Sequence, residues 1–238
     1  MASTTISQYH GSDMQMFHKG HFSDVVVKCG DRAWMLHKSI LASRSKWFNK
    51  VIKDQAGGPS CNLVTIKMCG PNVAEVILRY IYGGTTEFHH LNEPAGDGAV
   101  LLMYTKVHPA ARYFGLPTLA NLCLDKVHTN LNLIAAQLRG DLPTGGGDKA
   151  PLIQAVTKAI RNFYAYDHEV VKKFSEIGLL RAEFVHFACD VWEILRRDRE
   201  FMVFMRTEVP NFALDVGRTW QRPQGKDEKP VRCPSVED

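Results

Sequence analysis

The pattern of apolar and polar positions changes its period once between residues 22 and 48. Val25, Val26 and Val27 form a β-branched run leading to Gly30-Asp31, a two-residue hairpin signal, and a second apolar segment follows from Ala33 to Leu36. The stretch opens as a β-hairpin. After His37 and Lys38, residues Ile40, Leu41, Trp47 and Phe48 are separated by small or polar residues at helical spacing, which predicts a helix running to about Val51.

The same two periods organise the chain from residue 54 to Val127. Residues 54–60 (DQAGGPS) form a loop by their glycine and proline content, and 61–68 (CNLVTIKM) form a third strand. Pro71 opens a helix whose Val73, Val76, Ile77, Tyr80 and Ile81 share one face, and Gly83-Gly84 ends it. Residues 85–97 break both periods and are expected to be a loop insertion. Two helices come next, the first with Leu101, Tyr104, Val107, Ala111 and Phe114, the second with Leu119, Leu122, Cys123 and Val127, separated by Gly115-Leu116-Pro117.

Beyond a second loop the chain reads as α-helical. Residues 140–151 (GDLPTGGGDKAP) are the clearest linker, after which Leu152, Val156, Ile160 and Phe163 mark one helical face and Phe184, Phe187, Val191, Trp192 and Leu195 another. The first twenty residues are polar except for Met14, Met16 and Phe17, which predict one short helical turn in a frayed end. The last stretch has balanced charge, three prolines and little to bury, and is expected to be disordered. The fold class is α+β.

Composition narrows the function classes. Lys plus Arg number 29 against 25 for Asp plus Glu, with no basic stripe, so nucleic acid is not an expected partner. No stretch is apolar for long enough to cross a bilayer, and no leader pattern opens the chain, which reads as an intracellular protein of the cytoplasm or nucleus. Six cysteines at 29, 61, 69, 123, 189 and 233 form no Cys-x-x-Cys pair, so no metal and no redox cofactor is expected. Hydrolase elbows, phosphate-binding loops and His-Glu-x-x-His are missing, and the reading is that of a protein without catalytic residues or cofactors.

A family resemblance rests on Asp24, the valine strand, the Gly30-Asp31 turn, and then His37-Lys38-x-x-Leu41-Ala42-Ser43-x-Ser45-x-x-Phe48. This order resembles the opening of BTB/POZ domains. Leu78-Arg79-Tyr80-Ile81-Tyr82-Gly83 resembles the family's helix ending in Tyr-x-Gly, and Ala111-x-Tyr113-Phe114-Gly115-Leu116 resembles its last helical pair. Phe201 to Met205 with Val209 to Val216 is similar to the C-terminal helical region of a group of fungal BTB proteins. The resemblance implies a small mixed sheet flanked by helices. It divides the chain into a flexible N-terminus at 1–21, the BTB/POZ domain at 22–129, a linker at 130–150, a helical extension at 151–220 and a disordered tail at 221–238.

The resemblance also implies a function and four partner-binding residues. BTB domains self-associate, commonly as homodimers, and dock protein partners, among them cullin-3 ubiquitin ligases, for which the protein would be a substrate adaptor. The alternative is an oligomerisation domain of a transcriptional or other regulatory assembly. Asp24 and Lys38 match a charged pocket near the dimer seam, or else are an acid ending a strand and a solvated lysine. Val73 and Glu75 have the hydrophobic-x-Glu form of a cullin-facing edge, or else Glu75 is an acid in the first turn of a helix. His37 reads as a satisfied structural histidine, His89-His90 as polar loop residues, and Arg196-Arg197 as part of a solvated helix face.

Overall fold

A computed structural model describes residues 6–58, 62–84, 97–140, 149–164 and 177–220. Of the insertion expected at 85–97 all but Asp97, which starts a helix, lies outside these residues, as do most of the glycine linker, His89-His90, Cys61, Cys233 and the tail.

The chain starts with helix α1, Ile6–Lys19. Where the sequence pattern offers one turn at 14–17, tertiary contacts hold a whole helix. Phe17 packs on Tyr82 with ring centroids 5.3 Å apart, and Asp13 pairs with Arg44 at 2.5 Å. A polar helix of this length is marginal alone, so its docked face sustains it.

Strands β1, Val25–Cys29, and β2, Arg32–Leu36, form the expected hairpin, with Gly30 at φ 59 supplying the left-handed turn residue. Their antiparallel register pairs Val26 with Met35, and β3, Leu63–Thr65, lies parallel on the other side with Val26 opposite Leu63. The strand order β2-β1-β3 makes a small mixed sheet. Val25, Val27 and Cys29 face the core while Asp24, Val26 and Lys28 face outward, following the strand period of two.

The helix predicted after the hairpin is two helices, α2, Lys38–Arg44, and α3, Lys46–Asp54. Ser45 divides them because its backbone is extended (φ −134, ψ 121), and its hydroxyl accepts the Phe48 N–H while donating to the Phe114 carbonyl at 2.6 Å. Helix α4 runs Pro71–Gly83, with Gly84 in the left-handed conformation closing it. Helices α5, Asp97–Tyr113, and α6, Pro117–Arg139, complete the helical hairpin around Gly115 at φ 70.

Residues 130–139, assigned to the linker by sequence, are the C-terminal part of α6. Leu131, Ile134, Ala135 and Leu138 are buried there, continuing the helical period of Val127. The extension comprises α7, Ala150–Tyr164, α8, Ile177–Asp190, α9, Trp192–Leu195, α10, Arg199–Thr207, and α11, Pro210–Trp220. It shares one hydrophobic core with the first half, since α7 packs on α5 and α8 packs on α6. Contact between α5 and α7 is close: a Cβ on Gly98 would stand 2.6 Å from that of Ala155. No helix among the described residues is long and apolar enough to cross a membrane.

Candidate protein-binding surface

Asp24 ties three elements together at the open end of the hairpin. Its backbone N–H donates to the Leu36 carbonyl at 3.0 Å, and its carboxylate Oδ1 accepts the Lys38 N–H at 2.8 Å. That N–H is one of the donors a helix start leaves without an intrahelical partner, and His37 provides no side-chain cap of its own. The Lys38 ammonium turns to Asn62, donating to Oδ1 at 2.7 Å. The structure thus brings Asp24 and Lys38 together through a helix cap, with Asn62 as the acceptor for the charge.

Beside this corner His37 is buried and fully bonded, as its apolar neighbours predict. Nε2 lies 2.7 Å from the His21 carbonyl, which only accepts, so the neutral ring carries its proton there. Nδ1 then accepts from the Tyr82 hydroxyl at 3.0 Å, and that oxygen accepts the His37 backbone N–H at 2.9 Å. Burial raises the Tyr82 phenol well above its ordinary value and keeps it a neutral donor. Arg44 completes the support, donating to the Ile81 carbonyl at 2.8 Å while it pairs with Asp13.

The second pair of candidate residues sits at the opposite, turn end of the hairpin. Glu75 lies one turn inside α4, past the first turn where the sequence pattern places it, so the helix terminus is not its main partner. Two arginines hold it: Arg32 at 2.8 Å from the hairpin and Arg79 at 2.8 Å one helical turn on. Val73 is buried against the core. A groove of about 360 Å³ opens beside them, lined by Asp31, Arg32, Gly70, Pro71, Met103 and Lys106 among others.

Arg32 and Asn62 are the site residues that sequence reasoning misses. Arg32 stands 43 positions from Glu75 and Asn62 stands 24 from Lys38, so no local spacing reports either contact. Elsewhere, Arg196 pairs with Glu193 at 2.5 Å and Asp198 caps α10 at the Phe201 N–H, in keeping with a solvated helix face.

The buried cysteines among the described residues are held as neutral thiols. Cys29 donates its thiol to the Cys69 carbonyl at 3.1 Å; burial raises both thiols, Cys69 to about 12 with the Cys29 thiol beside it adding to the effect. Burial likewise pushes Cys123 up to about 12. Such thiols stay protonated near neutrality and are poor nucleophiles. Among the described residues no group of three or more His, Cys, Asp or Glu is placed to hold a metal ion.

Comparison with known proteins gives a family for the first half of the chain. The BTB/POZ domain model matches residues 14–131. A protein of Mus musculus, TD and POZ domain-containing protein 1-like, is 26% identical over 119 residues, covering 50% of this chain and 30% of its own length. The match therefore spans less than a third of that relative. Among solved structures, the BTB domain of zebrafish PATZ1 is similar over 51% of this chain and 86% of its own, with 19% identity and a TM-score of 0.38.

Proposed function

Residues 14–131 form a BTB/POZ domain, and from that premise we propose that the chain is a non-catalytic protein-binding module that self-associates and docks a protein partner. The family match supports this reading most. Asp24 and Lys38 are its candidate seam residues, while Val73 and Glu75 are its candidate partner edge. The two corners occupy opposite ends of one hairpin, so engagement of one leaves the other accessible. The helices from 151 to 220 buttress the domain through α5 and α6 and carry a further surface of their own. By family, the protein works inside the cell, in the cytoplasm or nucleus.

Two finer readings differ in the partner. In the first, the protein is a substrate adaptor of a cullin-3 type ubiquitin ligase, and Val73-Ala74-Glu75 faces the scaffold. In the second it is an oligomerisation domain of a regulatory assembly with no ligase role. The second is favoured by the state of the motif: Glu75 is already bound by Arg32 and Arg79, and Val73 is buried, so a scaffold would have to compete for both. A binding assay with the cullin-3 N-terminal domain at micromolar concentration separates them. Binding by wild type that Glu75→Ala removes supports the adaptor; wild type that fails to bind ends that reading.

A further inference from the structure

We propose that the groove between α7 and α10 is the seat of this chain's own residues 231–238, VRCPSVED, which follow α11. The seat is independent of the partner that residues 14–131 take. One wall of the groove is a single face of α7, where Ala150, Ile153, Gln154, Thr157, Lys158 and Arg161 recur at helical spacing over about 16 Å. Opposite stands α10, whose Phe201 and Phe204 are buried with Ile153 as an apolar floor, while Val203 at the rim is 51% exposed. Arg161 donates twice to the Glu208 carboxylate, at 2.5 and 2.9 Å, and its guanidinium lies 5.2 Å from the Phe204 ring centroid. These contacts hold the C-terminal ends of α7 and α10 together, so the groove runs along both helices between Asp198 and Glu208, with a volume of about 630 Å³.

Charge and reach select the occupant. One end of the groove carries Asp198 and Glu200 against Arg199; the other carries Lys158 and Arg161 against Glu208. The first end is therefore acidic and the second basic, and Lys158 and Glu200 have no partner among the described residues. Residues 231–238 carry charge in the matching order, Arg232 first and Glu237-Asp238 five residues on, with Cys233 and Val236 between them. Five residues of extended, proline-type backbone, which Pro234 favours, cover about 16 Å, the length of the α7 face. The segment also starts at the right end. Trp220 packs on Trp192 with ring centroids 6.4 Å apart, and Trp192 stands six residues before Asp198, so α11 delivers the chain beside the acidic end. From Trp220 to Arg232 the chain reaches up to about 40 Å, more than this path requires. A strip about 16 Å long and one helix spacing wide buries on the order of a few hundred Å², too little to hold a separate protein stably. A tethered segment acts at an effective concentration near a millimolar, at which even so small a contact is occupied.

Disulfide trapping in the full chain tests the seat, with Cys233 as the reporter. Gln154→Cys places a thiol at an exposed position in the groove. Leu214→Cys places one outside it, on α11, at a position 56% exposed and close in sequence to Trp220. Glutathione disulfide oxidises either pair of thiols to a disulfide and is itself reduced to two glutathione thiols, and peptide mapping identifies the bond. A seated segment is expected to join position 154 to Cys233 within one chain at least tenfold faster than position 214. Lys158→Glu is expected to slow the bond at 154 about fivefold, and adding Glu237→Lys with Asp238→Lys to restore it. Equal rates at 154 and 214, or a rate at 154 indifferent to Lys158→Glu, overturns the proposal. So does a bond at 154 that joins two chains, which assigns the groove to the segment of a second copy.

Discussion

The Asp24 carboxylate accepts the backbone N–H of Lys38 at 2.8 Å, so a residue before the first strand caps a helix that begins fourteen positions later. The contact fixes where α2 leaves the hairpin. Asp24→Ala removes the cap and is expected to cost about 1–2 kcal/mol, with Asp24→Asn losing less because it keeps an acceptor oxygen. Chemical denaturation of the three proteins checks the order. Equal stability of the alanine and wild-type proteins would deny the cap an energetic role.

Tyr82 and His37 form a closed buried unit. Tyr82→Phe leaves the His37 backbone N–H and ring Nδ1 without their partner, at a cost of about 1–3 kcal/mol. The loss is expected in thermal or urea unfolding, together with a weaker hold on α1, whose Phe17 rests on the same ring. Faster amide exchange in α1 is the accompanying sign.

Gly98 sets how closely α7 approaches α5. Gly98→Ala puts a methyl 2.6 Å from the Ala155 Cβ and is expected to destabilise the chain by about 1–3 kcal/mol. Adding Ala155→Gly in the same chain relieves the clash. Recovery of much of the lost stability in the double variant is the measurement, and purely additive losses would place the damage elsewhere.

His108 gives stability a defined pH dependence. Its ring is 1% exposed, and burial, with the Arg112 charge adding, lowers its pKa from 6.5 to about 4. Between those values the unfolded chain takes up a proton that the folded chain refuses, so stability is full above pH 6.5 and falls as pH drops towards 4. The loss reaches about 3 kcal/mol at the lower limit. His108→Leu is expected to flatten this slope in denaturation curves recorded from pH 7 to pH 4.

Much of this architecture is legible in the sequence because its causes are local. The valine run and Gly30-Asp31 predict the β1–β2 hairpin, and Pro71 with Gly83-Gly84 marks both ends of α4. What escapes depends on distant partners. Ser45 breaks the helix through a carbonyl 69 residues away, and α1 exists by leaning on α4. The end of α6 is open to view in Leu131, Ile134 and Leu138 and in the glycine that follows Arg139, but the family resemblance ends the domain at 129 and so draws the boundary too early. Of the candidate site, the sequence names Asp24, Lys38 and Glu75 and cannot name Asn62 or Arg32, which hold the two charges in place.

The mass of the full chain in solution, measured by light scattering at tens of micromolar, tests self-association most directly. A self-associating BTB/POZ module predicts the mass of two 26.8 kDa chains, falling towards one on dilution. A single-chain mass that does not change across the concentration range would contradict it.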